Sequence, residues 1–272
     1  MTPAQFDFTG AVVLVTGGTK GIGRVICEKF LGAGAEVVTC GRNEPESLPT
    51  AGDRAARFVA CDVREPDQVD ALISQVEEWF GGLDVVVNNA GGSPEVLAAD
   101  ASPRFSESII RLNLMAPLHI AQRANRTMQT QDRGGVIVNI ASVSAIRPSP
   151  GASAYGAAKA GLLSLTQTLA MEWAPKVRVV SVTCGLIATE QTNEYYGDAT
   201  QMAAVAATVP LGRMGTPNDV ADACMFLASP SASFVSGGGL LLHGGGEAPN
   251  YLSAGSVASE TSGASGAHRE VD

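Results

Sequence analysis

The chain has 272 residues, 45% of them hydrophobic, and a formal net charge of −9. This length and composition fit one large globular domain with a sizeable core and argue against a disordered chain. The acidic balance argues against a broad basic surface for nucleic acid. No apolar run approaches the roughly 18 residues of a membrane span, and residues 1–10 lack the pattern of a secretory signal.

Cysteine and histidine usage indicates the compartment and the kind of site. The five cysteines are odd in number, widely spaced and without a Cys-x-x-Cys pair, which is typical of a reducing compartment. The sequence therefore predicts a cytoplasmic protein. The three histidines are scattered, so we expect no metal site.

Short β-branched runs alternate along the chain with longer helical patterns. The runs predict strands at residues 11–16, 36–40, 57–60, 85–88, 135–140, 177–182 and 240–243. The helical patterns predict helices at residues 22–31, 66–80, 105–130, 155–174 and 217–227. Residues 12–15 and 85–87 are continuously apolar, which indicates strands covered on both faces. The pattern predicts an α/β fold of the Rossmann type, a single doubly wound parallel sheet with helices on both faces.

Two stretches fall outside this alternation. Residues 1–252 are expected to form one domain, whereas residues 253–272 are rich in Ser, Gly, Ala and Glu and predict a disordered tail. Residues 185–210 follow the sixth strand, at the edge where ligands bind in such sheets. So long a stretch predicts a mobile lid, with Tyr195 and Tyr196 as flat contacts to a substrate. The alternative is a fixed loop that covers the sheet end.

A glycine-rich turn joins the first strand to the first helix. Residues 16–23 read Thr-Gly-Gly-Thr-Lys-Gly-Ile-Gly. Glycines let the backbone turn sharply and approach a pyrophosphate, and the helix N-terminus offers N–H groups and a partial positive charge. The spacing differs from Gly-x-Gly-x-x-Gly, so the alternative is a tight turn without a ligand.

The end of the second strand bears on the choice of nicotinamide cofactor. An acid usually stands there and binds the ribose 2′-hydroxyl of NAD, but this strand ends Thr-Cys-Gly-Arg over residues 39–42. The Arg42 guanidinium can pair with a 2′-phosphate, and Lys20 can add a second charge. The sequence therefore predicts NADP(H) in preference to NAD(H). The alternative is that both are ordinary solvated cations.

Ser142, Tyr155 and Lys159 form the catalytic candidate. Tyr155 and Lys159 are four residues apart and project from one helix face. A nearby ammonium favours the phenolate of a tyrosine whose pKa is otherwise near 10. Tyr155 can then exchange a proton with the substrate while Ser142 holds the substrate oxygen. With the dinucleotide turn, the trio predicts hydride transfer between a nicotinamide and an alcohol or carbonyl. Taken alone, Tyr155 and Lys159 would be an ordinary helix-surface pair.

Over about residues 8–246 these motifs resemble the short-chain dehydrogenase/reductase family. The resemblance implies a catalytic tetrad of Asn113, Ser142, Tyr155 and Lys159, in which Asn113 holds a water that links Lys159 to solvent. It implies cofactor contacts from Gly17, Thr19, Lys20, Gly21, Ile22, Gly23, Arg42, Asp62, Val63, Asn89, Ala90, Gly91, Tyr155, Lys159, Ile187 and Thr189. Asn113 has an alternative role, a hydrogen bond to a backbone carbonyl.

The sequence departs from the family pattern twice. Cys184-Gly185 replaces the family's Pro-Gly after the sixth strand, which loosens the following loop. His243 replaces the acid of a Gly-Gly motif near the C-terminus, and we expect a packing or interface role for it. The family resemblance further implies a homotetramer paired through the helices at residues 105–130 and 155–174 and through the last strand.

The substrate is expected to be a small-molecule secondary alcohol or ketone, and its class is weakly encoded. Arg133 and Lys176 stand where related 3-oxoacyl carrier-protein reductases have docking cations, which favours a 3-oxoacyl-CoA or carrier-protein thioester. Both also follow helix ends, where cations are favoured anyway, and the net charge would repel an acidic carrier. Residues 39–43 resemble tropinone reductases, so a steroid, terpenoid or other cyclic alcohol is the alternative. A catalytically idle nucleotide-binding sensor is the alternative class.

Overall fold

The computed structural model describes residues 5–190 and 197–247. The strands are β1 Val12–Thr16, β2 Glu36–Gly41, β3 Thr50–Ala51, β4 Arg54–Ala55, β5 Arg57–Ala60, β6 Val85–Asn88, β7 Gly135–Ser142, β8 Val177–Cys184 and β9 Gly239–Leu242. The α-helices are α1 Gly21–Gly32, α2 Pro66–Phe80, α3 Pro103–Ile110, α4 Ala116–Thr130, α5 Ser153–Trp173, α6 Ala199–Ala207 and α7 Pro217–Ala228. Short turns of other helix types lie at Arg111–Met115 (π) and at Val143–Ala145 and Pro230–Ala232 (3-10).

Seven of the strands form one parallel sheet. Their order is β5-β2-β1-β6-β7-β8-β9, while β3 and β4 form a separate small antiparallel pair. The strand order reverses direction at β1, so the crevice at its carboxyl end is the switch point where ligands bind in open α/β sheets. The predicted Rossmann-type fold is confirmed.

Two buried apolar layers cover the two faces of this sheet. Side chains of α1 and α7, such as Phe30 and Leu227, pack with Val13 and Val15 on one face. Side chains of α2, α4 and α5 pack with Leu14 on the other face. Burial on both faces explains the continuous apolar runs of β1 and β6, because no residue of these strands faces water.

The single helix expected at residues 105–130 is instead interrupted. The π turn Arg111–Met115 separates α3 from α4, and Pro117 lies in the first turn of α4. Proline has no N–H to offer the carbonyl of Asn113 four residues earlier, so the regular α pattern cannot continue there. The interruption falls on a predicted catalytic residue.

Residues 185–210 contain more regular structure than the sequence led us to expect. Ile187 forms a bridge with Gly215, and α6 begins after a reciprocal capping box between Asp198 and Gln201. Tyr195 and Tyr196, and the tail at residues 253–272, lie outside the described residues, so the lid and the tail remain predictions. Within residues 5–190 and 197–247, no helix combines the length and apolar character that a membrane crossing needs.

Candidate active site

The predicted site residues converge on one edge of the sheet. The carboxyl ends of parallel strands meet at the same edge, so the segments after β1, β2, β5, β6, β7 and β8 are neighbours there. This edge carries the glycine turn, Arg42, Asp62, Asn89 and Ser142. No metal cluster of three or more His, Cys, Asp or Glu side chains occurs in the part of the chain that the structure describes.

The glycine turn has the form of an anion cradle. Gly17 and Gly21 both have positive φ, 64° and 54°, the left-handed region that favours glycine. A Cβ on Gly17 would lie 3.1 Å from the Ala90 Cα, whereas one on Gly21 would meet nothing within 4 Å. Lys20 is the N-cap of α1 and its exposed side chain makes no cap bond. The helix N-terminus therefore faces open space without a side-chain cap, which fits a dinucleotide pyrophosphate.

The turn is fastened to the strand beside it. The Asn89 amide Nδ2 donates to the carbonyls of Thr16 at 2.9 Å and Gly17 at 3.1 Å. In return, the Thr16 hydroxyl accepts from the main-chain N–H groups of Asn89 at 3.1 Å and Ala90 at 3.0 Å. A Cβ on Gly23 would overlap the Asn89 amide. Asn89 and Ala90 therefore shape the cradle through its backbone.

Thr19 and Ile22 complete the turn. Both side chains are half-buried. The Thr19 carbonyl accepts a long hydrogen bond from Arg24, and Ile22 packs against the core between α1 and the sheet. Their main-chain groups thus lie in the predicted cofactor segment.

Arg42 and Asp62 occupy adjacent strand ends. Gly41 and Ala60 are partners in the parallel pairing of β2 with β5, so the next residues of the two strands continue side by side. Arg64 donates to the Asp62 carboxylate from Nη2 at 2.5 Å and from Nε at 2.9 Å. This hydrogen bonding, with a smaller contribution from the Arg42 charge, lowers the pKa of Asp62. Asp62 is thus a fixed anionic acceptor beside the exposed Arg42, with Val63 buried next to it.

Asn113 lies in the π turn and is fully buried. Its Oδ1 accepts from the Gly92 N–H at 2.9 Å, and its Nδ2 donates to the carbonyls of Gly92 at 2.9 Å and Ile109 at 3.0 Å. The side chain is therefore engaged with backbone groups, as in the alternative role that the sequence allows. It ties the π turn to the loop after β6.

Lys159 reaches the same loop from α5. Only 3% of the residue is exposed, and its ammonium donates to the Ile140 carbonyl at 2.8 Å. Burial lowers its pKa to about 8. A Cβ on Gly91 would lie 2.7 Å from the Asn113 Oδ1 and 3.3 Å from the Lys159 Nζ. Glycine at position 91 therefore leaves room for both side chains.

Ser142 ends β7 and is followed directly by a 3-10 turn. Its hydroxyl accepts from the Ser144 N–H at 3.2 Å. In the strand register its partner is Cys184, the last residue of β8. Burial raises the pKa of the Cys184 thiol to about 12, so the thiol is neutral and does not compete for protons at neutral pH. The sequence showed Cys184 only as a departure from the family pattern; the register puts it beside Ser142.

Tyr155 and the segment after β8 complete the edge. Tyr155 is half-buried in the first turn of α5, and Ile187 and Thr189 are half-buried past the end of β8. Ala188 donates its N–H to the Gly215 carbonyl at 2.8 Å, which fixes this segment against the chain before α7. The sequence offered no pattern that would have identified Gly215 as the partner.

Arg133 and Lys176 are not at this edge. They precede β7 and β8, at the opposite ends of the strands that carry Ser142 and Cys184. Arg133 forms an ion pair with Asp84. Lys176 donates to the carbonyls of Gln129 and Gln131 at the end of α4, at 2.9 and 3.0 Å. Within this chain, both cations contact the protein and stand apart from the catalytic candidates.

The chain is similar in sequence to known proteins. A family model described as Enoyl-(Acyl carrier protein) reductase matches residues 17–247. The 3-oxoacyl-(acyl-carrier-protein) reductase FabG of Vibrio cholerae is 34% identical over 88% of this chain and 98% of the relative. The 3beta-hydroxysteroid dehydrogenase 1 of Eggerthella lenta is 36% identical over 88% and 94%. A chloroplastic tropinone reductase homolog of Arabidopsis thaliana is 33% identical over 89% and 77%.

A solved structure is similar to this chain in fold as well as in sequence. The ligand-free aldohexose dehydrogenase of Thermoplasma acidophilum superposes with a TM-score of 0.81 at 32% identity, covering 89% of this chain and 94% of that one. The matches cover most of the length of each of these proteins, so the similarity extends over the whole fold. The chain therefore belongs to the short-chain dehydrogenase/reductase family, whose members are NAD(P)(H)-dependent oxidoreductases of alcohol and carbonyl groups.

Proposed function

We propose that this protein is an NADP(H)-dependent oxidoreductase that interconverts a secondary alcohol and a ketone. The observation that carries the proposal is the buried Lys159 ammonium, 5.6 Å from the centre of the Tyr155 ring, on the same sheet edge as the uncapped turn at residues 16–23. A cation in this position favours the phenolate that proton exchange with an alcohol requires.

The chain's own groups would bind the dinucleotide along this edge. The N–H groups of the turn would bind the pyrophosphate, and Asp62 with Val63 would contact the adenine. Arg42 and Lys20 would bind the 2′-phosphate, and Ile187 with Thr189 would contact the carboxamide of the nicotinamide. The bound dinucleotide supplies or accepts the hydride. Support for NADP(H) comes from Arg42, which is exposed at the strand end where an acid would otherwise stand.

The proton follows a separate path through the protein. In the reductive direction Tyr155 donates its phenolic proton to the substrate oxygen, and Ser142 donates a hydrogen bond to the same oxygen as charge develops there. The Lys159 ammonium stabilises the phenolate that remains. Because the Asn113 side chain is engaged with Gly92 and Ile109, a relay water would be held by its main-chain carbonyl, which Pro117 cannot engage by an α-helical bond.

A 3-oxoacyl thioester is the first substrate class to test, because a 34% identical relative carries the name of a 3-oxoacyl carrier-protein reductase. Arg133 and Lys176 contact this chain's own groups at the far edge of the sheet. This location favours a CoA thioester over a carrier protein docked on these two cations. A cyclic ketone such as a steroid is the second class, supported by the 36% identity to a hydroxysteroid dehydrogenase.

Two measurements test the proposal. Binding of NADPH and NADH is followed by the fluorescence of the reduced nicotinamide, and turnover is then measured by its absorbance with a panel of 3-oxoacyl-CoA thioesters and cyclic ketones. Tight NADPH binding with turnover of a panel member supports an enzyme. Dinucleotide binding without turnover of any ketone or alcohol would instead favour a nucleotide sensor. That alternative is disfavoured by the complete set of Asn113, Ser142, Tyr155 and Lys159.

A further inference from the structure

A buried threonine of β2, Thr39, forms a hydrogen bond with the glycine turn at residues 16–23. Thr39 has no exposed surface. Its hydroxyl donates to the Val15 carbonyl of β1 at 2.9 Å and accepts from the Gly18 N–H of the turn at 2.9 Å. The hydroxyl therefore bridges a strand and the turn that follows it, with its donor and one acceptor site both used.

Cys40, the residue after Thr39, also contacts the turn, through its main-chain carbonyl. Gly17 donates its N–H to the Cys40 carbonyl at 3.0 Å. Two consecutive amides of the turn are thus held by two consecutive residues of β2. The exposed Arg42 stands only two residues beyond Cys40. Strand β2 therefore positions both parts of the proposed site. It is hydrogen-bonded to the turn that would bind the pyrophosphate, and it leads directly into Arg42, which would bind the 2′-phosphate.

The Thr39 hydroxyl is the acceptor that the structure gives to the Gly18 amide. Gly18 is buried, and a Cβ placed on it would overlap the Thr39 hydroxyl and the Cys27 thiol. Burial raises the pKa of that thiol to about 12, so Cys27 is neutral. A buried amide that loses its acceptor is unfavourable, and a turn deprived of the Thr39 hydroxyl would rearrange to reach water.

We propose that Thr39 is a positioning residue for dinucleotide binding, acting through the Gly18 amide. It keeps the turn in the conformation that aims the N-terminus of α1 at the pyrophosphate before any ligand arrives. Because the pyrophosphate is common to both nicotinamides, Thr39 sets affinity for NADP(H) and NAD(H) alike, whereas Arg42 sets the ratio between them. This inference rests on the proposed dinucleotide binding.

Thr39→Val tests the inference because it keeps the side-chain volume and removes both hydrogen bonds. We expect the dissociation constants of NADPH and NADH to rise by a similar factor, on the order of tenfold, which corresponds to about 1.4 kcal/mol. The ratio of the two constants should stay as in the wild type. Thr39→Ser retains the hydroxyl and should restore both affinities.

The matched control is Thr127→Val. Thr127 is also a buried threonine with one donated and one accepted bond, to Glu77 at 2.6 Å and from Arg123 at 2.9 Å, but it lies in α4 away from the turn. We expect this variant to lower the melting temperature and leave both dissociation constants unchanged. If Thr39→Val behaves as Thr127→Val does, with lower stability and unchanged affinity, the positioning role is refuted.

Hydrogen exchange of the wild-type protein tests the same point without a variant. The Gly18 amide should be protected in the absence of ligand, to a degree comparable with β1, and the Gly21 amide should exchange freely. A Gly18 amide that exchanges as fast as Gly21 would overturn the inference even if Thr39→Val fails to fold. Absence of any dinucleotide binding by the wild type would refute the proposed function itself, which is a different outcome.

Discussion

The Lys159 ammonium lies 5.6 Å from the centre of the Tyr155 ring and donates a 2.8 Å hydrogen bond to the Ile140 carbonyl. The hydrogen bond to the carbonyl fixes the position of the ammonium, so a buried charge lies close to the phenol ring. Desolvation strengthens such an interaction because the surroundings screen it weakly. This relationship between two residues of α5 is the basis of the first two predictions.

Tyr155→Phe should abolish turnover and leave cofactor binding intact. The substitution removes only the phenolic oxygen, which is the proposed proton donor in reduction. We expect a loss of more than tenfold in kcat, with an NADPH dissociation constant close to that of the wild type. Steady-state rates and a fluorescence titration measure the two quantities. A variant that keeps more than a tenth of the wild-type rate would show that another group transfers the proton.

Lys159→Met should stabilise the ligand-free protein at neutral pH while abolishing turnover. Burial lowers the pKa of Lys159 from 10.5 to about 8. The folded state therefore binds the Lys159 proton less tightly than the unfolded chain does, and below pH 8 this costs up to roughly 3 kcal/mol of stability. The penalty shrinks between pH 8 and 10.5, so the advantage of the variant should shrink over the same range. Denaturant unfolding at several pH values measures it; a pH-independent difference would contradict the assignment.

Arg42→Asp should move cofactor preference toward NAD(H). The substitution removes the cation proposed for the 2′-phosphate and places a negative charge there. We expect the NADPH dissociation constant to rise at least tenfold and that of NADH to change little. The control is Arg54→Asp, which makes the same change in net charge. Arg54 is an exposed arginine of β4 and forms an ion pair with Glu36. Equal affinity of the wild type for both cofactors would argue against a selective role for Arg42.

The protein should form a tetramer with twofold axes. The edge strand β9 exposes half of Leu241, and Phe234, in the segment before β9, is fully exposed. Met171, on the predicted pairing helix α5, is 84% exposed. Apolar side chains of this size on a sheet edge and a helix are typical of surfaces that another subunit covers. Light scattering at micromolar concentration should give four times the chain mass, and Leu241→Asp should reduce it. A monomeric wild type would refute the prediction.

The segment at residues 185–210 should act as a lid that sets substrate choice. Tyr195→Ala combined with Tyr196→Ala should change the ranking of substrates in kcat/KM more than it changes cofactor affinity, because flat apolar contacts would be lost on the substrate side. Hydrogen exchange across the segment should slow when cofactor and substrate are both bound. Unchanged ranking together with unchanged exchange would identify a fixed loop.

Much of the site could be predicted because its residues lie in short motifs next to recognisable elements. The turn at residues 16–23 stands between a strand and a helix, and Tyr155 and Lys159 are one helical turn apart, so local spacing alone puts them on a common face. The apolar runs at β1 and β6 predicted a two-sided sheet for the same local reason. The order of these elements predicted that the motifs would share one sheet edge.

Relationships between distant segments were decided only by the tertiary structure. The hydrogen bonds of Thr39, the hydrogen bond from the Asn113 side chain to Gly92, and the place of Cys184 beside Ser142 all join positions far apart in the chain. Parallel strands are connected by long crossovers, so no short turn fixes their register, and packing across the sheet decides which residues become neighbours. The sequence by itself determined which chemical groups are present and at which edge; packing determined which of them touch.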